Sequence, residues 1–484
     1  MMSEEQSEES RLLKDEKDNS KIKHLSETRW ITIEPAIILM AFASPIGMVA
    51  FPKYIEDRLA EDRNFTLLKD DALNVSCIDK QGTNDSDYQI QQDIAAETAH
   101  WVMIGTVLSF APAIFTGPFF GALSDRLGRK LPLLISSLGF ALWLFAIGTM
   151  TVFRLPLSYL VCASLLIGVG GGYTLFLGGC YAYLSDISSG KSRLLRIAVA
   201  RALFEGTSGL SQIPAAYFVE EYGFESLVWL TCGLFIVAIL YILSPCIPLP
   251  PRVGSYSAKK TSFKILANDI MDIFAVNTEK RRIRLGMFLL IYFVTNLIQQ
   301  SLGATEIFIL YGLGPPLCWT SATAGVYSFT LLACGALGVL FLSRLFAVCV
   351  NYFWILQIAY VFGIISYLIS AFAKTTQVFL MGAVVSAFRA MDSPVLETML
   401  STLVEPNERG VVFALAASMQ SFANCISPLI FNPIYSATVE TQPNAVFFVM
   451  CSGYIVLFVL SWIWLVYTNR TTRTKHTELG HKDV

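Results

Sequence analysis

Three ionisable side chains stand within nine residues of one apolar run. The stretch SAFRAMDSPVLETML, residues 386–400, carries Arg389, Asp392 and Glu397 among side chains suited to hydrocarbon. A guanidinium stays charged and offers a planar fork to an anion. A carboxyl withdrawn from water binds its proton more tightly, so it can take one up and release it near neutral pH. Arg389 and Asp392 are three residues apart and are expected to pair along one helix face. Glu397 lies two turns beyond Arg389, where it can reach inward or out to lipid headgroups. A fourth group, Glu205 in ARALFEGTSG, sits nine or ten residues into another apolar run. It is expected near the middle of that segment, with no opposite charge nearby in its own helix.

These charges need an apolar setting to be unusual, and composition supplies it. Of 484 residues 54% are hydrophobic and 15% charged, with a mean hydropathy of +0.56. A soluble protein carries roughly 25% charged residues. Apolar runs of about twenty residues, long enough to cross ~30 Å of hydrocarbon, alternate with charged loops. An ionisable group at that depth costs ~2.5–3.5 kcal/mol even on the lenient insertion scale, so it is expected to line a polar path or to be paired. The chain reads as an all-α polytopic membrane protein. Its net charge of −2 says nothing of a nucleic-acid partner, no basic stripe suggests one, and none is expected. No His/Cys/Asp cluster or nucleophile arrangement suggests a metal, a cofactor or an enzyme. The first 29 residues are polar, and the apolar run from about Ile31 to Phe51 has no small-residue cleavage site after it, so it reads as a retained helix.

Twelve spans are expected, centred near residues 42, 110, 141, 168, 206, 236, 297, 333, 362, 388, 421 and 456. Lys and Arg concentrate in both tails, in the turns after spans 2 and 4, and in the loop after span 6. The positive-inside rule therefore places both termini in the cytosol. The long loop on the other side holds three N-x-[ST] sequons, Asn64, Asn74 and Asn84, which read as glycosylation sites. The organisation is a tail (1–29), a six-helix half (30–246, with an outer loop over 54–98), a cytosolic linker (247–283), a second six-helix half (284–468) and a tail (469–484). The glycine-rich GVGGGYTLFLGG, Gly168 to Gly179, has no strand before it and reads as a close-packing surface rather than a phosphate loop.

The turn after span 2 reads GALSDRLGRK. Glycines allow a tight turn and close helix approach, Asp125 can meet a positive partner or a helix N-terminus, and Arg126, Arg129 and Lys130 are expected to anchor at headgroups. Gly121, Asp125, Arg126, Gly128, Arg129 and Lys130 match G-x-x-x-D-[RK]-x-G-[RK]-[RK], so the chain resembles the major facilitator superfamily. The resemblance implies a fold of twelve helices in two halves and a role for these residues in gating the conformational change.

Three further stretches, IEPAIILMAFA in span 1, GATEIFILYGLGPPLCW in span 7 and its exit, and FNPIYSATV at the end of span 11, resemble the solute carrier family of the proton-coupled folate transporter and its lysosomal relatives. The resemblance implies secondary active, proton-coupled symport of an organic anion by alternating access, with a folate or another conjugated acid as substrate. It implies that Glu205 couples transport to protons, that Asp186 matches an Asp at the inner end of span 4, and that Glu306 matches the acidic residue of the seventh-span motif. It also implies a disulfide between Cys77 and Cys318. Two positions depart from the pattern: Glu397 stands where the family has an Arg, and Ser301 where the folate transporter has a His. Coupling therefore has to rest on carboxylates, Glu205, Glu306 and Asp392, while Arg389, Glu397 and Ser301 are the candidate substrate contacts. Pro394 loosens span 10 beside them. The alternative is a transporter-shaped receptor or scaffold that moves nothing. In the tail, EESRLL (Glu8, Leu12, Leu13) fits an acidic dileucine signal for sorting adaptors, so the address is the plasma membrane or the endosomal and lysosomal membrane.

Overall fold

The computed structural model describes residues 31–65, 85–188, 190–245, 281–299, 321–342, 350–404, 408–438 and 441–480, with short pieces at 247, 307–308, 311–312, 317, 319 and 345. Among the described residues the secondary structure is helical, and each of the twelve expected centres falls on a helix. The first half holds α1 (Glu34–Asp62), α2 (Asp85–Leu127), α3 (Lys130–Val152) and α4 (Leu157–Ile187). It is completed by α5 (190–222) and α6 (224–243), the two arms of one helix bent at Gly223, where φ is 79°. The second half holds α7 (Arg281–Gln299), α8 (Ser321–Leu337, continued by a π-helical turn over Gly338–Leu342) and α9 (Tyr352–Phe372). It ends with α10 (Thr376–Thr402), α11 (Arg409–Thr438) and α12 (Ala445–Gly480). Among the described residues eight helices are long and apolar enough to cross a membrane, and α1 and α8 contribute shorter apolar stretches. Hydrocarbon offers no water to backbone amides, so helices are the form these runs must take. Large apolar side chains such as Phe145, Leu240 and Val456 remain on the outer surface, where lipid tails replace the core that a soluble protein would need.

Some bounds differ from the sequence expectation. The 43 residues of α2 rise ~65 Å at ~1.5 Å each, about twice the hydrocarbon thickness. Its first turns stand beside the end of α1, tied by Arg63 to Glu97 at 2.6 Å, so the outer loop over 54–98 is helical at both ends. Similarly α12 runs on to Gly480, past residue 468. The linker lies mostly outside the described residues.

Glycines decide where helices meet. A Cβ on Gly121 of α2 would sit 2.0 Å from that of Ala414 and 2.9 Å from the Gly410 carbonyl on α11. Gly128, at φ 122°, ends α2 in a conformation that side chains resist. The motif glycines thus bring the two halves into backbone contact and turn the chain into α3. The run from Gly168 to Gly179 packs as expected: Cβ atoms on Gly168, Gly170, Gly178 and Gly179 would strike α2, α3 and α11 within 3.0 Å.

Two crossings are interrupted. In α4 the break falls at Gly171 and Gly172, both at positive φ. In α10 it falls at Ala390 and Met391, between the arms Thr376–Arg389 and Asp392–Thr402. Pro394 has no N–H to give to the Ala390 carbonyl four residues back. Arg389 therefore occupies the last turn of one arm and Asp392 the first turn of the next. Each charge meets the helix end whose dipole favours it.

The close approach at Gly121 is testable. Gly121→Ala is expected to lower the melting temperature of detergent-purified protein, the overpacking costing ~1–3 kcal/mol. Adding Ala414→Gly, which removes the nearest clashing atom, is expected to recover most of the loss. No recovery would mean that the α2–α11 approach does not limit stability.

Candidate functional site

Arg201 is the centre of the charged cluster. It lies one turn before Glu205 on α5, and its Nε donates to Glu205 Oε1 at 2.6 Å. Its Nη1 lies 3.7 Å from Oε1 of Glu397, which comes from α10 in the other half. Arg201 and Glu397 are 3% and 1% exposed, whereas the Glu205 side chain is 17% exposed. Glu397 Oε2 is buried without a hydrogen-bond partner among the described residues, and the Tyr181 hydroxyl faces Arg201 nearby. One guanidinium thus serves two carboxylates, and it serves one of them at close range.

Two expectations are corrected here. Glu205 does have an opposite charge in its own helix, because Arg201 four residues earlier is on the same face. Glu397 does not reach for the headgroups; a buried guanidinium across the half-to-half interface holds it inside. Arg201 is the functional residue that the sequence reading missed, and its i, i+4 spacing from Glu205 was the signal.

Five to eight residues before Glu397, α10 carries the second group. The Arg389 guanidinium lies over the Tyr367 ring of α9, 4.9 Å from its centroid. It is 6% exposed, and its Nε and Nη1 have no hydrogen-bond partner among the described residues. Asp392 accepts instead from the Tyr454 hydroxyl at 3.4 Å and from Ser393 Oγ at 3.4 Å. No direct Arg389–Asp392 ion pair is observed among the described contacts. The helix break gives each charge a dipole end, and the Tyr367 ring and the Tyr454 hydroxyl engage the two side chains. Tyr367 and Tyr454, in ring contact at 5.5 Å, lie between these groups.

At the end of the bundle that carries the glycine motif, Asp186 of α4 joins the halves. Its Oδ2 accepts from Arg129 Nε at 2.7 Å, and its Oδ1 lies 3.4 Å from Nη1 of Arg409 at the start of α11. Arg193 Nη1 donates to Ser401 Oγ across the same interface at 3.1 Å. Lys130 Nζ donates to the Ser244 carbonyl at 2.8 Å. The basic residues of the motif were expected at headgroups, but Arg129 is buried and Lys130 is turned onto the protein, because Asp186 and the Ser244 carbonyl outcompete solvent. Towards the middle of the interface, Thr174 and Ser421 share a hydrogen bond at 2.7 Å, and Asn424 Nδ2 donates to the Tyr173 hydroxyl at 2.8 Å.

The remaining candidates divide by what is described. Asn64 is exposed at the end of α1. Asn74, Asn84, Cys77, Cys318, Ser301, Glu306, Glu8, Leu12 and Leu13 lie outside the described residues, as do the side chains of Asp125 and Arg126. Among the described residues no group of His, Cys, Asp or Glu could hold a metal ion.

The geometry is that of two helical halves closed on a buried charge cluster, and comparison places it. The family model of the Major Facilitator Superfamily matches residues 35–294. The chain belongs to that superfamily. It is 31% identical over 445 residues to the lysosomal proton-coupled steroid conjugate and bile acid symporter SLC46A3 of Rattus norvegicus, spanning 89% of this chain and 93% of the relative. It is 26% identical over 412 residues to the proton-coupled folate transporter of the same species, spanning 84% and 86%. The crystal structure of the human organic anion transporter MFSD10 shares the fold, with a TM-score of 0.66 at 16% identity over 89% of this chain and 98% of that one. The E. coli fucose:proton symporter FucP does too, at a TM-score of 0.59 and 14% identity over 89% and 98%. The chain is a secondary active membrane transporter, not an enzyme, in a family of proton-coupled symporters.

Removing one member of a buried ion cluster strands the others, at a cost of about 3–5 kcal/mol. Arg201→Met is therefore expected to lower the melting temperature and the surface amount sharply. The triple variant Arg201→Met, Glu205→Gln, Glu397→Gln is expected to recover stability while remaining inactive in transport. A triple variant as unstable as the single one would show that Arg201 is held by packing rather than by charge.

Proposed function

We propose that the protein is a proton-coupled symporter of organic anions, working by alternating access, with substrates of the steroid-conjugate, bile-acid or folate kind named for its relatives. The carrying observation is Arg389, a buried cation whose Nε and Nη1 have no hydrogen-bond partner among the described residues. An anionic group arriving beside Tyr367 would supply the missing acceptors and offset the desolvation of the guanidinium. Aromatic walls suit a ring-bearing acid. Glu205, partly exposed and joined to Arg201, is the carboxylate of the coupling path that exchanges protons with water. Ser301, Glu306 and Asp392 stay candidates as a substrate contact and as further coupling carboxylates. Asp186, with Arg129 and Arg409, acts as the latch that opens when the halves rock apart.

Topology and address belong to the same reading. Both termini face the cytosol, Asn64, Asn74 and Asn84 carry glycans, and a Cys77–Cys318 disulfide ties the outer loop to the second half. The Glu8–Leu13 segment is read by sorting adaptors that direct the protein to endosomal or lysosomal membranes. Mass spectrometry of protein digested without reduction is expected to find glycans in the outer loop and the Cys77–Cys318 peptide pair. Leu12→Ala with Leu13→Ala is expected to move the protein to the cell surface. Unmodified sequons and free thiols would reverse the orientation, and an unchanged distribution would remove the sorting signal.

Coupling is checked by paired assays on proteoliposomes with a radiolabelled steroid sulfate, verified for equal protein content. Glu205→Gln is expected to keep substrate counterflow but to lose accumulation driven by a pH gradient. Arg389→Ala is expected to raise KM at least tenfold in both assays, matching the loss of one charge-assisted hydrogen bond of about 1.5–3 kcal/mol. Wild-type protein that shows neither flux with steroid sulfates, bile acids or folates would favour the receptor reading instead.

A further inference from the structure

Glu397 has a role that its position in the family pattern does not supply. It is 1% exposed, it comes from the opposite half to Arg201 and Glu205, and its Oε1 approaches Arg201 Nη1 only to 3.7 Å. Its second oxygen, Oε2, has no hydrogen-bond partner among the described residues. An ionised carboxylate so placed would leave an acceptor empty and a negative charge half answered. The other groups facing it do not change this balance. Glu205 and Asp392 add negative charge, and Tyr181 of α4 and Tyr292 of α7 are neutral hydroxyls. Arg201 is the positive group at hand, and its short hydrogen bond goes to Glu205.

We propose that Glu397 is the residue on which the transported proton rides, and that Arg201 is the positioning residue that decides when it does. The proposal rests on the proton-coupled symport reading and deepens it. With both carboxylates ionised, the cluster of one guanidinium and two carboxylates carries one net negative charge. A proton from water on the uptake side bonds to Glu397 Oε2, and the cluster becomes neutral with the Arg201–Glu205 bond intact. When α10 and α5 shift as the halves rock, Arg201 closes on Glu397 and loosens from Glu205. The O–H bond at Oε2 then breaks, and the proton leaves to water on the release side through the more exposed Glu205. Arg201 keeps its charge throughout, and one proton enters and one leaves. Because Arg201 belongs to the first half and Glu397 to the second, the exchange of partners is tied to the motion that moves substrate.

The test uses full-length protein. Glu397→Gln leaves Arg201 paired one-to-one with Glu205, so the variant is expected to fold and to keep steroid-sulfate counterflow with an unchanged KM. Its pH-driven accumulation is expected to vanish, and the proton flux per substrate measured with a pH-sensitive dye to fall to background. Glu397→Asp, which keeps the carboxyl, is expected to retain coupling with a displaced pH profile. Infrared difference spectra of purified protein across a pH step supply a reading that needs no substrate. The carboxyl C=O band of the wild type is expected to disappear in Glu397→Gln and to remain in Asp392→Asn. Retained pH-driven accumulation with an unchanged infrared band in Glu397→Gln would overturn the proposal. So would a raised KM in counterflow with coupling kept, which would make Glu397 a substrate contact. Failure of the symport reading itself would look different, since wild-type protein would then show no pH-driven uptake at all.

Discussion

A charge inside hydrocarbon has to find its opposite within the protein, and much of this structure follows from that demand. Arg201, Glu205 and Glu397 meet where α5 of one half faces α10 of the other. None of them is tolerable alone at that depth. Their attraction draws the two halves together at the centre, as Asp186 does between Arg129 and Arg409 at the motif end. The two clusters differ in their arithmetic. Asp186 has two guanidinium partners, so it is fully answered and suits a latch. Arg201 has two carboxylate partners, so one of them is incompletely answered, and that imbalance is what a proton can correct.

Close packing makes these charge contacts possible. Ion pairs across the interface need the helix backbones to approach, and Gly117, Gly121 and Gly178 let α2 and α4 lie against α11. The hydroxyl and amide bonds Thr174–Ser421, Ser418 to the Ile114 carbonyl and Asn424–Tyr173 run along the same seam. They are short-range contacts that a small rotation of one half would break. A seam built from small residues and single hydrogen bonds is easier to open than an interlocked apolar core.

The interruption of α10 solves a different problem. Arg389 and Asp392 stay about one turn apart, because Ala390 and Met391 between them keep right-handed helical dihedrals. Pro394 breaks the hydrogen-bond ladder between them. Arg389 then ends one arm and Asp392 begins the next, each facing a favourable dipole. The guanidinium is left over an aromatic ring with donors to spare.

Much of this was legible in the sequence. Run lengths and charge placement determined a polytopic helical membrane protein with twelve crossings, because a bilayer of fixed thickness without water admits few alternatives. The turn GALSDRLGRK carried the superfamily, and the glycine run near Gly171 announced close packing. The partners of the charges were decided only in three dimensions. Arg201–Glu397 joins residues almost two hundred positions apart, and local spacing carries no trace of such a pair. Even the local reading needed the third dimension at Arg389 and Asp392, where three-residue spacing pointed to a pair and Tyr367 and Tyr454 engage the two side chains. Helical periodicity fixes which face a side chain takes. What answers its charge there depends on the neighbouring helix, and tertiary packing alone chooses that neighbour.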